Sequence, residues 1–402
     1  MTPGLLHARR GLPAVLAALA LAPLAGCYTA SRMPDIRYTG DPIVDGNAQI
    51  AAARPQDRVL WEYRLAATAL RLGNFAEARA KLDDAILSIG GIITDSTDAA
   101  KARGLFSPES SKVFIGEPYE RVMAYYYRGL LYWRDGEPDN ARACFRTAQF
   151  IDSDAGAGYR SDYVLLDYLD GFATEKLGGD GADAYRRAVA NAKGQTLPRY
   201  DAQSNVLVFA EFGRGPTKYA GGEYGEQLRF SVWNSPAHSA ALSVDGRTIA
   251  LPAYDDLNFQ ATTRGGRVMD YILGNKAVFK STTSGVGDAA IVGSVIAANR
   301  AYRPDGSRSE GSQNTALALG AVALISKLAS AATTPEADTR SWNNLPQRLS
   351  FAALRLPPGA HPATLEFFDA AGARIPALTQ MLTIVVDDGA RDTVVFLSEL
   401  KR

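Results

Sequence analysis

The chain has 402 residues, of which 47% are hydrophobic, and its 43 basic and 43 acidic side chains leave no formal net charge. This balance gives no electrostatic footprint for nucleic acid. Two cysteines and three histidines are too few for a disulfide framework or for a His/Cys zinc site, and no cofactor is expected.

Residues 1–26 have the organisation of an export signal. Arg9 and Arg10 give a positively charged start, an apolar segment follows from Gly11 to about Leu24, and no acidic residue occurs. The apolar segment is shorter than the roughly 20 residues that a spanning helix needs. The pattern therefore predicts a removable signal peptide rather than a transmembrane helix.

The end of this signal resembles the lipobox of bacterial lipoproteins, with the residues Leu24, Ala25, Gly26 and Cys27. In that family cleavage follows the glycine and the cysteine thiol is acylated, so the resemblance implies cleavage between Gly26 and Cys27 and membrane attachment through acyl chains on Cys27. Tyr28 is not the aspartate that retains lipoproteins in the inner membrane. The resemblance thus implies an outer-membrane protein facing the periplasm, and an ordinary signal peptide is the alternative.

Residues 27–50 are predicted to be a tether and residues 51–195 a helical domain. The tether mixes Pro, Gly, Asp and Thr without periodicity. From Pro55 onward apolar residues recur at helical spacing on successive faces, with Gly73 and Asn74 as a turn.

A second helical pair, at residues 124–149, resembles a tetratricopeptide repeat. A weaker copy precedes it and a degenerate copy follows near Gly181. Since about three such units make a stable array and residues 90–117 interrupt the period, we expect a short, irregular array. The matching positions are Gly129, Tyr132, Gly136, Ala141, Phe145 and Ala148. Cys144 lies beside Phe145 and is expected to be a small buried side chain.

Beyond Pro198 the hydrophobic period shortens to that of strands. Alternating apolar residues predict an antiparallel β-sandwich-like domain over residues 200–402. Asp245-Gly246 is a strong hairpin signal, and Ala371-Gly372 and Asp388-Gly389 are weaker ones. Ala- and Gly-rich segments at about 283–337 predict a helical-hairpin insertion that docks on the β domain, or contacts a partner or membrane surface. The predicted fold class is α+β.

No stretch of the sequence carries a complete catalytic set. The patterns G-x-S-x-G and H-E-x-x-H are absent, and His238 and His361 are expected at the surface or in turns. Neighbouring carboxylates point in different directions and are expected to be solvated; these pairs are Asp83-Asp84, Asp255-Asp256 and Asp387-Asp388. An enzyme is therefore not expected, and an envelope hydrolase or transferase is the last alternative.

Two stretches, residues 114–136 and 337–351, combine charged and aromatic residues. This composition suits either a buried polar network that ties the helical and β parts together or a groove that binds a peptide, glycan or protein. The candidate residues are Glu117, Tyr119, Arg121, Asp338, Arg340 and Trp342.

Together these features resemble a family of bacterial envelope lipoproteins that pairs a repeat-like helical region with a β-rich C-terminal region. The resemblance implies no catalytic residues. The favoured expectation is a lipid-anchored, periplasm-facing scaffold that binds another envelope protein. The alternative is a module that binds peptidoglycan or another glycan through Trp233, Tyr254 and Trp342.

Overall fold

The computed structural model describes residues 36–94, 112–153, 161–222, 227–263, 337–389 and 391–400. Contacts group Tyr38–Arg402 into one unit and Met1–Arg37 into another. The helices of the described residues are α1 (Pro42–Ala52), α2 (Arg58–Arg71), α3 (Phe75–Thr94), α4 (Pro118–Arg134), α5 (Pro138–Asp152), α6 (Val164–Lys176), α7 (Ala182–Asn191) and α8 (Leu257–Thr262).

Helix α1 begins inside the predicted tether. The Asp41 carboxylate accepts a hydrogen bond from the N–H of Ile43 at 2.8 Å, and a proline occupies the first helical turn, which are both signals for a helix start. Ile43 packs against the core. No residue of α1 is buried, and the helix contains Pro42, Asp45 and Gly46, which are residue types typical of loops.

Helices α2 to α7 form three consecutive pairs, α2 with α3, α4 with α5 and α6 with α7. The pair α4–α5 shows why two glycines belong to the repeat pattern. A Cβ atom on Gly129 would lie 2.6 Å from the Phe145 ring, so the glycine allows close approach of the helices. Gly136 has a φ of 86° in the turn, a conformation that favours glycine.

The strands of the described residues follow the helical array. They are β1 (Val206–Arg214), β2 (Thr217–Gly221), β3 (Gln227–Ser231), β4 (Ser239–Val244), β5 (Arg247–Pro252), β6 (Asp255–Asp256), β7 (Pro346–Leu354), β8 (Gly359–Phe368), β9 (Gln380–Val386) and β10 (Thr393–Ser398). Sheet 1 has the order β10-β1-β7-β6, sheet 2 has the order β5-β4-β8-β9, and β2–β3 is a separate hairpin. All pairs are antiparallel except β1 with β10. The α+β prediction is confirmed.

Sheet 1 lies between the helices and sheet 2. Alternate residues of β1 face opposite sides: Leu207 and Phe209 join a core shared with the helices, which we call the helical-side core. Val206 and Val208 join a second core shared with sheet 2. The helical-side core also includes side chains from α2, α4, α6 and β7, so the helical and β parts share one hydrophobic interior.

The predicted turns have different outcomes. Asp245-Gly246 is confirmed as a two-residue hairpin between β4 and β5, with φ values of 48° and 71°. The hairpin expected at Asp388-Gly389 is wrong, because β9 belongs to sheet 2 and β10 to sheet 1. Strand β10 packs against both cores. Burial on both faces of a strand favours a continuous run of apolar residues rather than alternation of apolar and polar residues.

The predicted insertion at 283–337 lies almost wholly outside the described residues, which resume at 337.

Candidate functional site

The predicted lipidation and sorting residues, Gly26, Cys27 and Tyr28, lie outside the described residues. The six predicted interaction residues lie within them. Tyr119 and Trp342 are buried, whereas Glu117, Arg121, Asp338 and Arg340 are half-buried.

Trp342 belongs to the core rather than to an exposed surface. Its ring stacks on Tyr63 of α2, with centroids 4.3 Å apart, and meets the Tyr127 ring of α4 edge-on at 6.0 Å. Its backbone N–H donates to the carboxylate of Glu120 at 2.8 Å. Trp342 therefore attaches the segment before β7 to two helices, and it cannot serve as the glycan contact that the sequence suggested.

A buried ion pair beside Trp342 was missed by sequence reasoning. Glu120 in the first turn of α4 accepts hydrogen bonds from the N–H of Glu117 at 2.7 Å and from the Lys218 ammonium at 2.5 Å. The side chains of Glu120 and Lys218 are 0% and 2% exposed. The capping sequence of α4 gives a signal for Glu120, but no local pattern indicates that its partner comes from β2.

Arg340 connects the same segment to the chain just before α2. Its guanidinium contacts Asp338 at 2.6 Å and Asp57 at 2.9 Å, and donates to the carbonyl of Gln56 at 3.2 Å. Two of the predicted residues, Asp338 and Arg340, thus act together at the junction of the helical and β parts.

A second buried cluster joins α2 and α4 to sheet 1. The Glu211 carboxylate on β1 accepts from Arg71 at 2.6 Å, from Ser398 at 2.7 Å, and from the Tyr127 hydroxyl. Burial, followed by the charge of Glu211, raises the pKa of Tyr127 well above its ordinary value, so this hydroxyl remains a donor. Buried charges demand such partners, because desolvation without them is costly.

The contacts between the helices and sheet 1 show which face of the helical array is covered by the rest of the protein. The first helix of each pair, α2, α4 and α6, contacts sheet 1 directly. Phe172 of α6, for example, meets Phe351 of β7 at 5.8 Å. The faces of these helices that point to sheet 1 are therefore filled by the protein itself.

On the other side of the array, α5, α6 and α7 enclose an open cleft of about 460 Å³, which we call the outer cleft. Leu166, Asp167 and Asp170 of α6 line it, about half a helical turn away from the sheet-facing Phe172.

The outer cleft is polar at its floor. Asp167 pairs with Arg187 at 2.9 Å and accepts from Gln149 at 2.9 Å, while Asp170 pairs with Arg142 at 2.9 Å. Burial raises the pKa of Asp167, and hydrogen bonding to Arg187 opposes that effect. The floor is thus a connected network of paired charges.

The aromatic residues suggested for glycan binding do not form one exposed set. Trp233 is 42% exposed, with the Arg214 guanidinium 4.0 Å above its ring. Tyr254 is half-buried and packs against the helical-side core, and Trp342 is fully buried. Of the three, only Trp233 presents a large exposed surface.

Groups with potential chemistry are engaged in structural contacts. Cys144 is buried, as predicted, and burial raises its pKa to about 12, which disfavours the reactive thiolate. His361 is buried, contrary to expectation, with Nδ1 2.8 Å from Asp245 and Nε2 2.8 Å from the carbonyl of Pro357. Both ring nitrogens face acceptors, so neither is placed to act as a base.

Asp255 also differs from expectation, because it is buried rather than solvated. Its carboxylate accepts from the N–H groups of Val164 and Leu165 at 2.8 and 2.9 Å and thereby caps α6. Its neighbour Asp256 caps α8. The pair thus divides between two helix starts, which is a structural role.

Among the described residues, no three His, Cys, Asp or Glu side chains are grouped so as to hold a metal ion. None of the helices that the structure describes combines the length and apolar character needed to cross a bilayer. No family model, no curated protein and no solved structure matches this chain.

Proposed function

We propose that the protein is a lipid-anchored lipoprotein of the bacterial outer membrane, facing the periplasm, that acts as a scaffold for another envelope protein. The lipobox-like sequence from Leu24 to Cys27 supports the anchor. Acylation there would restrict the folded part to the membrane surface.

The observation that carries the scaffold proposal is the position of the outer cleft. Sheet 1 covers the inner side of the array, and the cleft opens between α5 and α7 on the side that remains. Phe150 at its border is 75% exposed. Exposed aromatic residues beside arginine are frequent at protein–protein contacts.

In-cell photocrosslinking tests this proposal. A photoreactive residue at Ala190, which is exposed and lines the cleft, is expected to give a discrete adduct with one envelope protein. The same residue at Thr383, exposed on β9 of sheet 2, is the matched control and is expected to give no such adduct. Finding only lipid and bulk porins at Ala190 would count against the scaffold.

The Cys27→Ser variant supplies the control for the anchor. It is expected to fractionate as a soluble or uncleaved precursor, and the Ala190 adduct should decrease with it. Mature Cys27→Ser protein in the outer-membrane fraction would contradict the lipobox interpretation.

A further inference from the structure

One of the two arginines that line the outer cleft has no carboxylate partner among the described residues. Arg187 pairs with Asp167 and Asp170, and Arg142, which does not line the cleft, also pairs with Asp170. Arg146 of α5 also lines the cleft and is exposed, but it forms no hydrogen bond or ion pair with any residue in the described ranges. A guanidinium that lines a concave surface without a carboxylate partner is a site for an incoming carboxylate.

An exposed ring lies next to this cation. Phe150 follows Arg146 by four residues on α5, so the two side chains share one helix face, and both line the cleft. The ring is 75% exposed. Covering it with an apolar side chain would remove apolar surface from water, which favours binding.

We propose that the outer cleft binds an extended peptide segment in which a carboxylate side chain lies next to an apolar one. The carboxylate pairs with Arg146, and the apolar side chain covers Phe150. This inference rests on the proposed scaffold function, since it specifies the chemistry of the segment that the partner presents.

The test uses full-length lipidated protein in detergent and three fluorescent peptides with blocked termini. All three have alternating Leu and polar residues, with Glu, Gln or Lys at the polar positions. Fluorescence anisotropy is expected to show binding of the Glu peptide at least about tenfold tighter than that of the Gln peptide. Arg146→Glu should lower affinity for the Glu peptide at least tenfold and raise affinity for the Lys peptide, whereas Phe150→Ala should weaken binding of both the Glu and Gln peptides.

Two matched controls separate these effects from general charge and hydrophobicity. Arg186→Glu makes the same charge change on α7, at a side chain that is 70% exposed and does not line the outer cleft. Leu87→Ala removes an apolar side chain that is 78% exposed on α3. Both controls are expected to bind the Glu peptide as the unmodified protein does.

Equal affinity for the Glu and Gln peptides, no binding of any peptide, or an equal loss in the Arg186→Glu variant would overturn the proposal. A protein adduct at Ala190 together with any of these results would leave the scaffold function standing and reject only the chemistry assigned to its partner.

Discussion

At the scale of single residues, buried carboxylates connect parts of the chain that lie far apart in sequence. Glu120 binds Lys218 and the backbone of Trp342, Glu211 binds Arg71, and Asp255 caps α6 from β6. A buried ion pair contributes little net stability, but removing one of its partners leaves an uncompensated buried charge. These contacts therefore fix which surfaces meet.

Asp255 gives a pH-dependent prediction. Burial raises its pKa from 3.8 to about 7, although its two backbone hydrogen bonds act in the opposite direction. A pKa that is higher in the folded state than in the unfolded state means that folding favours the protonated carboxyl group. The stabilisation that Asp255 contributes is therefore complete below about pH 4 and is lost as the pH rises to 7. The loss is at most about 4 kcal/mol.

Urea unfolding of the unmodified protein and of Asp255→Asn from pH 4 to pH 7 measures this contribution. Residue 255 of the variant does not titrate. The unfolding free energy of the unmodified protein should therefore fall relative to that of the variant as the pH rises. Glu62 and Asp167, whose pKa values are also raised, are present in both proteins and cancel. A difference that does not change with pH would contradict the assignment.

The sequence predicts the structural roles that depend on neighbouring residues, and it misses the roles that depend on residues far away in the chain. Burial of Cys144 and the hairpin at Asp245 follow from neighbouring residues. The partner of Glu120 comes from β2, about 98 residues away, and no periodicity encodes such a pairing. Composition alone drew attention to Trp342, but it could not decide between a core role and a surface role.

At the scale of elements, the two helices of a pair differ in burial. Helix α4 buries 12 of its 17 residues, whereas α5 buries five of 15. The reason is that α4 lies between α5 and sheet 1, and a helix covered on both sides is apolar around most of its circumference. The aromatic density of residues 118–134 is thus a signal of packing on both sides of the helix.

Close packing of α4 on α5 makes Gly129 sensitive to substitution. Gly129→Ala would place a methyl group 2.6 Å from the Phe145 ring, and such overpacking costs about 1 to 3 kcal/mol. Gly90 on α3 is the matched control, since a Cβ there meets nothing within 4 Å, and Gly90→Ala should stabilise by up to about 1 kcal/mol through helix propensity. Thermal or urea unfolding distinguishes the two, and equal effects would contradict the packing argument.

At the scale of the whole molecule, the helices and sheet 1 share the helical-side core. Neither part covers its apolar surface without the other, so we expect one cooperative unfolding transition. Differential scanning calorimetry should show a single transition in which the calorimetric and van't Hoff enthalpies of unfolding agree. Two separated transitions would show that the parts fold independently.

The pairing of β10 with β1 constrains the order in which this molecule assembles. Ser398 on β10 reaches Glu211 on β1 across 187 residues, so sheet 1 is completed only after all of those residues have been synthesised. Contacts of such long sequence separation slow folding. Until β10 is in place, the faces of α2 and α4 that contact it remain uncovered and can associate with other chains. A chain of this design would therefore be prone to aggregate until β10 pairs with β1.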